Sequence, residues 1–356
     1  MKCGIIGLPN VGKSTLFNCI SKNKAKSSNF PFCTIKSNIG SIQVPDKRLE
    51  KLAELINPQR IIPVTVDIID IAGIIKGSYK GEGLGNKFLA NISETNAIIH
   101  VLRCFENTNI LHVESYVDPI RDKEILDIEL RLKDLETINK IIEKINKKVV
   151  KNLHLLKKIS TILNSGHNIR TFSFSKEEKK QIKCFKLLTD KPVLYICNVG
   201  ENYFLKGNAY TKKIKLIVEK EKSELLIFSL KIEYYIAEFF TSEERKTYFE
   251  YLGIKEPSVN KLIRKSYELL KFNTFFTLGR NEIRAWKIPK GWTVFQAASV
   301  IHTDFKKGFI CAEVIHYDDF INFKSKEKTS EAGKLFIEGR KYIVKDGDII
   351  HIRFKI

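Results

Sequence analysis

Residues 7–14 read Gly-Leu-Pro-Asn-Val-Gly-Lys-Ser, a complete G-x-x-x-x-G-K-[ST] pattern. A short apolar run, Lys2 to Ile6, precedes it, and a helix-forming stretch from Lys13 to about Ser21 follows. A strand, a glycine-bounded loop and a helix in that order leave few folds open. Gly7 and Gly12 allow backbone angles that turn amide N–H groups inward around an anion. The helix directs its positive end at the same point. Lys13 supplies a full charge for the outer phosphates, and the Ser14 hydroxyl is a hard oxygen ligand for magnesium. Asn10, Val11, Gly12, Lys13, Ser14 and Thr15 are therefore expected to hold the phosphates of a nucleotide.

The rest of the chain continues the alternation. Strands are expected at 37–44, 62–70, 97–102, 193–197 and 225–228, with helices and glycine-rich stretches between them, as in an α/β domain. Near residue 121 the pattern changes. Ile128, Leu135, Ile142, Val149, Leu156 and Leu163 recur every seven residues, which predicts a coiled coil. Ser175-Lys176-Glu177-Glu178 is a capping box that opens a second helix to about Leu188, so an antiparallel helical hairpin is expected. From 278 onward short strands and turns form a separate tail. Its last hairpin is expected to pair 341–344 with 349–354 across Asp346-Gly347-Asp348.

In 356 residues, Lys plus Arg number 61 and Asp plus Glu 41, a net charge of +20. Such a balance suits a polyanionic partner such as RNA. A lysine-rich codon bias gives the same totals, and only twelve of the basic residues are Arg. The excess is spread along the chain, which favours bias as its main cause, although residues 141–170 hold seven basic side chains and one acidic, so that this tip would be strongly positive. Seven widely spaced cysteines with no Cys-x-x-Cys argue for reduced thiols in a cytosol and against a zinc site. No apolar run approaches the ~20 residues of a membrane span. The amino-terminal run meets Pro9-Asn10 with no cleavage pattern, so a signal peptide is not expected.

Further motifs lie in a recognisable order. Asp70-Ile71-Ala72-Gly73 ends one predicted strand, and Asn198-Val199-Gly200-Glu201 ends another. Between phosphate loop and Asp70 stands Asn29-Phe30-Pro31-Phe32-Cys33-Thr34-Ile35. Beyond it come Lys76-Gly77, Lys80-Gly81-Glu82-Gly83-Leu84-Gly85-Asn86, Arg284-Ala285-Trp286 and Ile301-His302-Thr303-Asp304-Phe305. Together these closely resemble the YchF type of Obg-like ATPases over nearly the whole chain. The resemblance implies a P-loop nucleotide-binding domain at 1–120 and 191–277, a helical coiled-coil insertion at 121–190 and a C-terminal β-grasp (TGS) domain at 278–356. It implies an ATPase of the cytoplasm that binds the ribosome (large subunit and 70S, with its RNA), prefers ATP to GTP, and acts as a regulatory switch in translation or stress response. The chain is expected to work as a monomer, away from membranes.

The resemblance also assigns roles. Thr34 would join Ser14 on magnesium, Asp70 would hold the metal through water, and Gly73 would sense the γ-phosphate. Asn10 resembles the residue through which potassium-dependent relatives bind a second cation, K+. Ile74 stands where many GTPases carry a water-orienting Gln, so intrinsic hydrolysis should be slow without another group. His112, in the loop after the 97–102 strand, is a candidate to activate that water, because a neutral imidazole accepts a proton near pH 7. A packing role is the alternative for this histidine. Asn198 can pair with a purine, Val199 replaces a base-stacking Lys, and Glu201 is one methylene too long for guanine. Guanine preference is therefore weakened. Ser229 would line the base pocket. Lys36 and Ser37 depart from the Glu-Pro that family members tend to carry. Two other functions stay open at this point: a GTP-specific ribosome-assembly GTPase, and a ribosome- or RNA-binding adaptor with a vestigial nucleotide site.

Overall fold

The computed structural model describes residues 2–25, 39–71, 84–144, 150–254 and 256–355. Its strands are β1 (Lys2–Ile6), β2 (Ile39–Gln43), β3 (Arg60–Ile62), β4 (Thr65–Asp70), β5 (Ala97–Cys104), β6 (Val193–Val199), β7 (Glu224–Phe228), β8 (Phe272–Leu278), β9 (Glu282–Pro289), β10 (Phe309–Ile315), β11 (Phe336–Glu338) and β12 (Ile349–Phe354). The helices used below are α1 (Lys13–Ala25), α2 (Lys47–Ile56), α3 (Leu84–Ser93), α4 (Pro119–Lys144), α5 (Val150–Asn164), α6 (Lys176–Phe185), α7 (Ala209–Lys220) and α8 (Leu230–Phe239). The chain forms two compact units, one from residues 1–42 and 66–269, the other from 43–65 and 270–356.

The first unit is built on a six-stranded sheet ordered β2-β4-β1-β5-β6-β7. Pairing of β1 with β4 and β5, and of β6 with β5 and β7, is parallel. Every residue of β5 and β6 is buried. That is why both read as largely apolar runs, interrupted by His100, Arg103 and Asn198: helices cover each face of a parallel sheet, and no position faces water. In α1 the buried residues Leu16, Cys19 and Ile20 recur at helical spacing and turn one stripe to the sheet. The carboxyl ends of β1, β4, β5, β6 and β7 share one edge. These ends and the loops that leave them carry the phosphate loop, Asp70, residues 105–118, Asn198 and Ser229, where ligands of such sheets bind.

The helical insertion differs from the predicted two-helix hairpin. Instead of one helix through residue 163, α4 and α5 are separate and packed on each other. Ile138, Leu155, Leu156, Ile159, Ile162 and Leu163 share one core with Ile169, Ile182 and Leu187. The seven-residue pattern thus runs across two helices, and its first member, Ile128, is 42% exposed, whereas Leu126 and Leu130 are buried. The root of α4 packs through a different face from its far end. The Ser175–Glu178 capping box is present as read, with both reciprocal bonds made, and it opens α6. At the root, Lys123 donates to Asp127 at 2.6 Å and Arg170 to Asp127 at 2.9 Å, while Tyr195 of β6 donates to Glu221 at 2.9 Å. Lys123 also pairs with Glu221. Two cations and two anions cancel in a buried cluster that joins the insertion to β6 and α7.

The second unit has a sheet ordered β11-β10-β12-β8-β9-β3. One helix, Val294–Ile301, packs on it through Val294, Ala297 and Ala298 against Phe275, Ile288, Phe309, Val314 and Ile352. Two expectations are corrected. The predicted strand 62–70 is broken at Pro63, which has no N–H for a ladder. Its first part, β3, pairs in parallel with β9 of this sheet, whereas β4 belongs to the other. Residues 341–344 are not the partner of β12, which pairs antiparallel with β10 and meets β8 at Ile349–Phe276. Val344 N–H instead donates to Trp292, and the Tyr342 carbonyl accepts from Val294. Buried Asp348 holds the bend by accepting from the Tyr342 hydroxyl and the Lys345 N–H, both at 2.8 Å.

Candidate functional site: a phosphate loop and its surroundings

The phosphate loop leaves β1 with Gly7 at φ +156°, Asn10 at +62° and Gly12 at +106°. A Cβ on Gly12 would lie 2.8 Å from Asn198 Nδ2 and 2.9 Å from Leu230 Cδ1, so glycine is required there by both angle and space. Asn198, buried at the end of β6, explains the close approach. Its Nδ2 donates to the Val11 carbonyl at 2.9 Å, and its Oδ1 accepts from Leu230 N–H at 3.2 Å. The residue expected at the base therefore also braces the phosphate loop from behind.

Lys13 opens α1 and is buried. Its Nζ donates to the Leu8 carbonyl at 2.7 Å, so the ammonium crosses the mouth of its own loop. Burial pulls its pKa down to about 8, against the opposing pull of the Asp70 charge. Ser14 Oγ donates to Asp70 Oδ2 at 3.2 Å. The other oxygen, Asp70 Oδ1, is buried without a partner among the described residues, and burial raises the carboxyl pKa above its ordinary value. A hydroxyl and a half-satisfied carboxylate at the end of two parallel strands fit a magnesium ion. No cluster of three or more His, Cys, Asp or Glu among the described residues could hold one. The remaining ligands of such an ion would come from phosphates and water. Thr15 is half-buried in the first turn of α1. Thr34, Gly73, Ile74, Lys36 and Ser37 lie outside the described residues.

On the base side, Val199 is buried in β6 and presents no exposed face for stacking. Glu201 sits in the following turn and pairs with Lys231 at 2.9 Å, both side chains largely exposed. Ser229 is buried at the head of α8, and its Oγ has no partner among the described residues.

Residues 105–118 border the phosphate loop, where Asn10 Nδ2 donates to the Leu111 carbonyl at 3.1 Å. His112 does not face that loop in this conformation. Its Nε2 lies 2.9 Å from Asp122 Oδ2, at the start of α4. Asp122 is buried, and burial raises its carboxyl pKa while Arg121 and His112 oppose the shift. Arg103 was not anticipated from the sequence. It is buried at the end of β5 and donates to the carbonyls of Phe105, Asn107 and Ile110 at 3.2, 3.2 and 3.0 Å. It thereby shapes the loop that carries His112. One signal for it existed: an arginine inside an otherwise apolar buried strand has to bond to something.

Known proteins match this architecture. A family model described as a 50S ribosome-binding GTPase matches residues 2–158. A second model, YchF-GTPase_C, described as a protein of unknown function (DUF933), matches 272–355. The protein named Ribosome-binding ATPase YchF from Haemophilus ducreyi is 47% identical over 362 residues, 100% of this chain and 99% of that one. Its namesake from Bacillus subtilis is 44% identical over 365 residues, 100% of both. The solved structure of the Schizosaccharomyces pombe YchF GTPase has a TM-score of 0.90 at 36% identity, over 99% of this chain and 97% of that one. An α/β P-loop domain with a helical insertion, a C-terminal domain of matching type and likeness over the full length give one conclusion: the chain belongs to the YchF family.

Proposed function

We propose that the protein is a ribosome-associated P-loop ATPase that binds ATP with magnesium, hydrolyses it to ADP and phosphate, and uses the cycle to regulate translation or a stress response in the cytoplasm. The observation that carries this reading is the Lys13–Ser14–Asp70 cluster: a buried amine across the loop mouth beside a hydroxyl–carboxylate pair with one oxygen left over. Backbone amides from Asn10 to Thr15 would cradle the phosphates, and Lys13 would exchange the Leu8 carbonyl for phosphate oxygens. Ser14, Asp70 and Thr34 would hold magnesium, which when bound neutralises phosphate charge. Gly73 would respond to the γ-phosphate. With Ile74 unable to orient water, His112 is the group proposed to do so after leaving Asp122.

The relatives' names differ on the nucleotide, ATPase for the bacterial proteins and GTPase for the yeast structure. The base side favours ATP. Buried Val199 offers no stacking, and Glu201, tied to Lys231, is poorly placed for the two guanine donors that a short carboxylate reads. Asn198 and Ser229 would line the purine. Asn10 is the proposed ligand of a potassium ion. The ribosome, recognised through the basic insertion and the C-terminal domain, is the proposed partner, as the relatives' names say of them. Calorimetric titration of the purified protein with ATP and with GTP, in magnesium, tests the choice. ATP is expected to bind about tenfold tighter or better. Clearly tighter GTP binding would restore the GTPase reading.

A further inference from the structure

The loop that carries His112 is built inside out. The His112 side chain is 3% exposed, whereas its neighbours Leu111 and Val113 are 81% and 53% exposed. Hydrocarbon gains from burial and an imidazole does not unless it is bonded, so specific bonds must hold this arrangement. They come from the first turn of α4. His112 Nδ1 accepts Glu114 N–H at 3.1 Å, which leaves the ring proton on Nε2, facing Asp122 Oδ2. Both ring nitrogens are thus in use. Arg121 bonds the other Asp122 oxygen through Nη2 at 2.9 Å, and donates to the carbonyls of Tyr116 at 2.7 Å and Glu114 at 3.3 Å. Its guanidinium also lies 4.3 Å over the Tyr116 ring. Between these anchors Ser115 has φ +67°, a region non-glycine residues avoid.

The upstream half of the loop is tethered separately. Arg103 holds residues 105–110 and Asn10 holds the Leu111 carbonyl beside the phosphate loop. The boundary between the two tethers falls between Leu111 and His112. Turning the chain there would let His112 swing from Asp122 toward the phosphate loop, while the Leu111 carbonyl stays on Asn10.

We propose that Asp122 is a positioning residue that stores His112 away from the phosphate site, braced by Arg121, so that hydrolysis waits for residues 112–116 to leave the first turn of α4. This rests on the reading of His112 as the group that orients the attacking water. Since α4 continues as the long helix of the insertion, a partner that moves that helix acts on the latch directly.

The test is Asp122→Asn, which keeps size and removes the charge, with Arg121→Ala as a second route to the same release. In the full-length protein without ribosomes, each is expected to raise kcat for ATP about fivefold at unchanged KM. The rise should be absent in the His112→Ala/Asp122→Asn double variant. Side-chain nitrogen NMR of histidine-labelled protein reads storage without turnover. In the wild type His112 should show an Nε2-bound proton protected from exchange, and Asp122→Asn should abolish that protection. Wild-type or lower kcat in both single variants, with His112 released in the spectra, overturns the latch. A freely exchanging His112 proton in the wild type does so too. Wild-type turnover in His112→Ala overturns the reading beneath it; a slow His112→Ala beside single variants that release His112 without acceleration overturns the latch alone.

Discussion

Lys13 shows how far one residue can be read from sequence and where structure adds to it. The motif gives its expected role, a charge for the outer phosphates. The structure adds that the amine is buried and bonded to the Leu8 carbonyl, with a pKa near 8. Free protein then sheds this proton as pH rises through about 8, whereas an ammonium against phosphates keeps it. ATP binding above pH 8 should therefore take up a proton, and affinity should fall as pH rises, approaching about tenfold per pH unit. Calorimetry at pH 9 in buffers of different ionisation enthalpy checks this, and Lys13→Ala should show no uptake. Asp70, Asn198 and the loop glycines were legible because each stands at a strand end with a chemistry-bearing neighbour. Arg103, Arg121 and Asp122 were not, because their partners are carbonyls and a histidine brought together only by folding. The second role of Asn198, bracing Val11, was hidden for the same reason.

Among the elements, the parallel strands were the easiest to read. Burial on both faces leaves β5 and β6 without a single polar-face alternation, and their length excludes a long helix. The helical insertion was half legible. A seven-residue repeat specifies that apolar side chains meet, but it does not say whether they meet within one rod or across a reversal, and here the repeat spans α4 and α5. Long-range bonds tie the insertion to the segment that leaves it: buried Asp134 of α4 accepts from Leu188 N–H and Thr189 N–H at 2.8 Å each and from the Thr189 hydroxyl at 2.6 Å. Asp134→Ala would strand these buried donors and should cost about 3 kcal/mol of stability, read from the shift in urea denaturation. A change below about 0.5 kcal/mol would show that water replaces the carboxylate. Residues 341–344 were misread because alternation and a turn predict a hairpin locally, while the competing partners, Trp292 and Val294, lie about fifty residues upstream.

At the scale of the whole molecule, the two units interleave along the chain. Residues 43–65 leave the first sheet after β2, contribute α2 and β3 to the second unit, and return at β4. The pairing of β3 with β9 and the Arg48–Asp346 ion pair at 2.7 Å tie this excursion to the second unit. Among the described residues, the first unit brings the phosphate loop, Ser14, Asp70 and Asn198 to one sheet edge. It also places the candidate base, His112, in a loop bonded both to the phosphate loop and to the root of the insertion. Nucleotide chemistry and partner binding can therefore share one set of contacts. The claim beneath all of this is that Lys13 and its loop hold a triphosphate for hydrolysis. Phosphate release from ATP with magnesium, compared between the wild type and Lys13→Ala at matched protein purity, tests it most directly. The variant should lose at least about 100-fold in rate; equal release from both proteins would contradict a hydrolytic site at this loop.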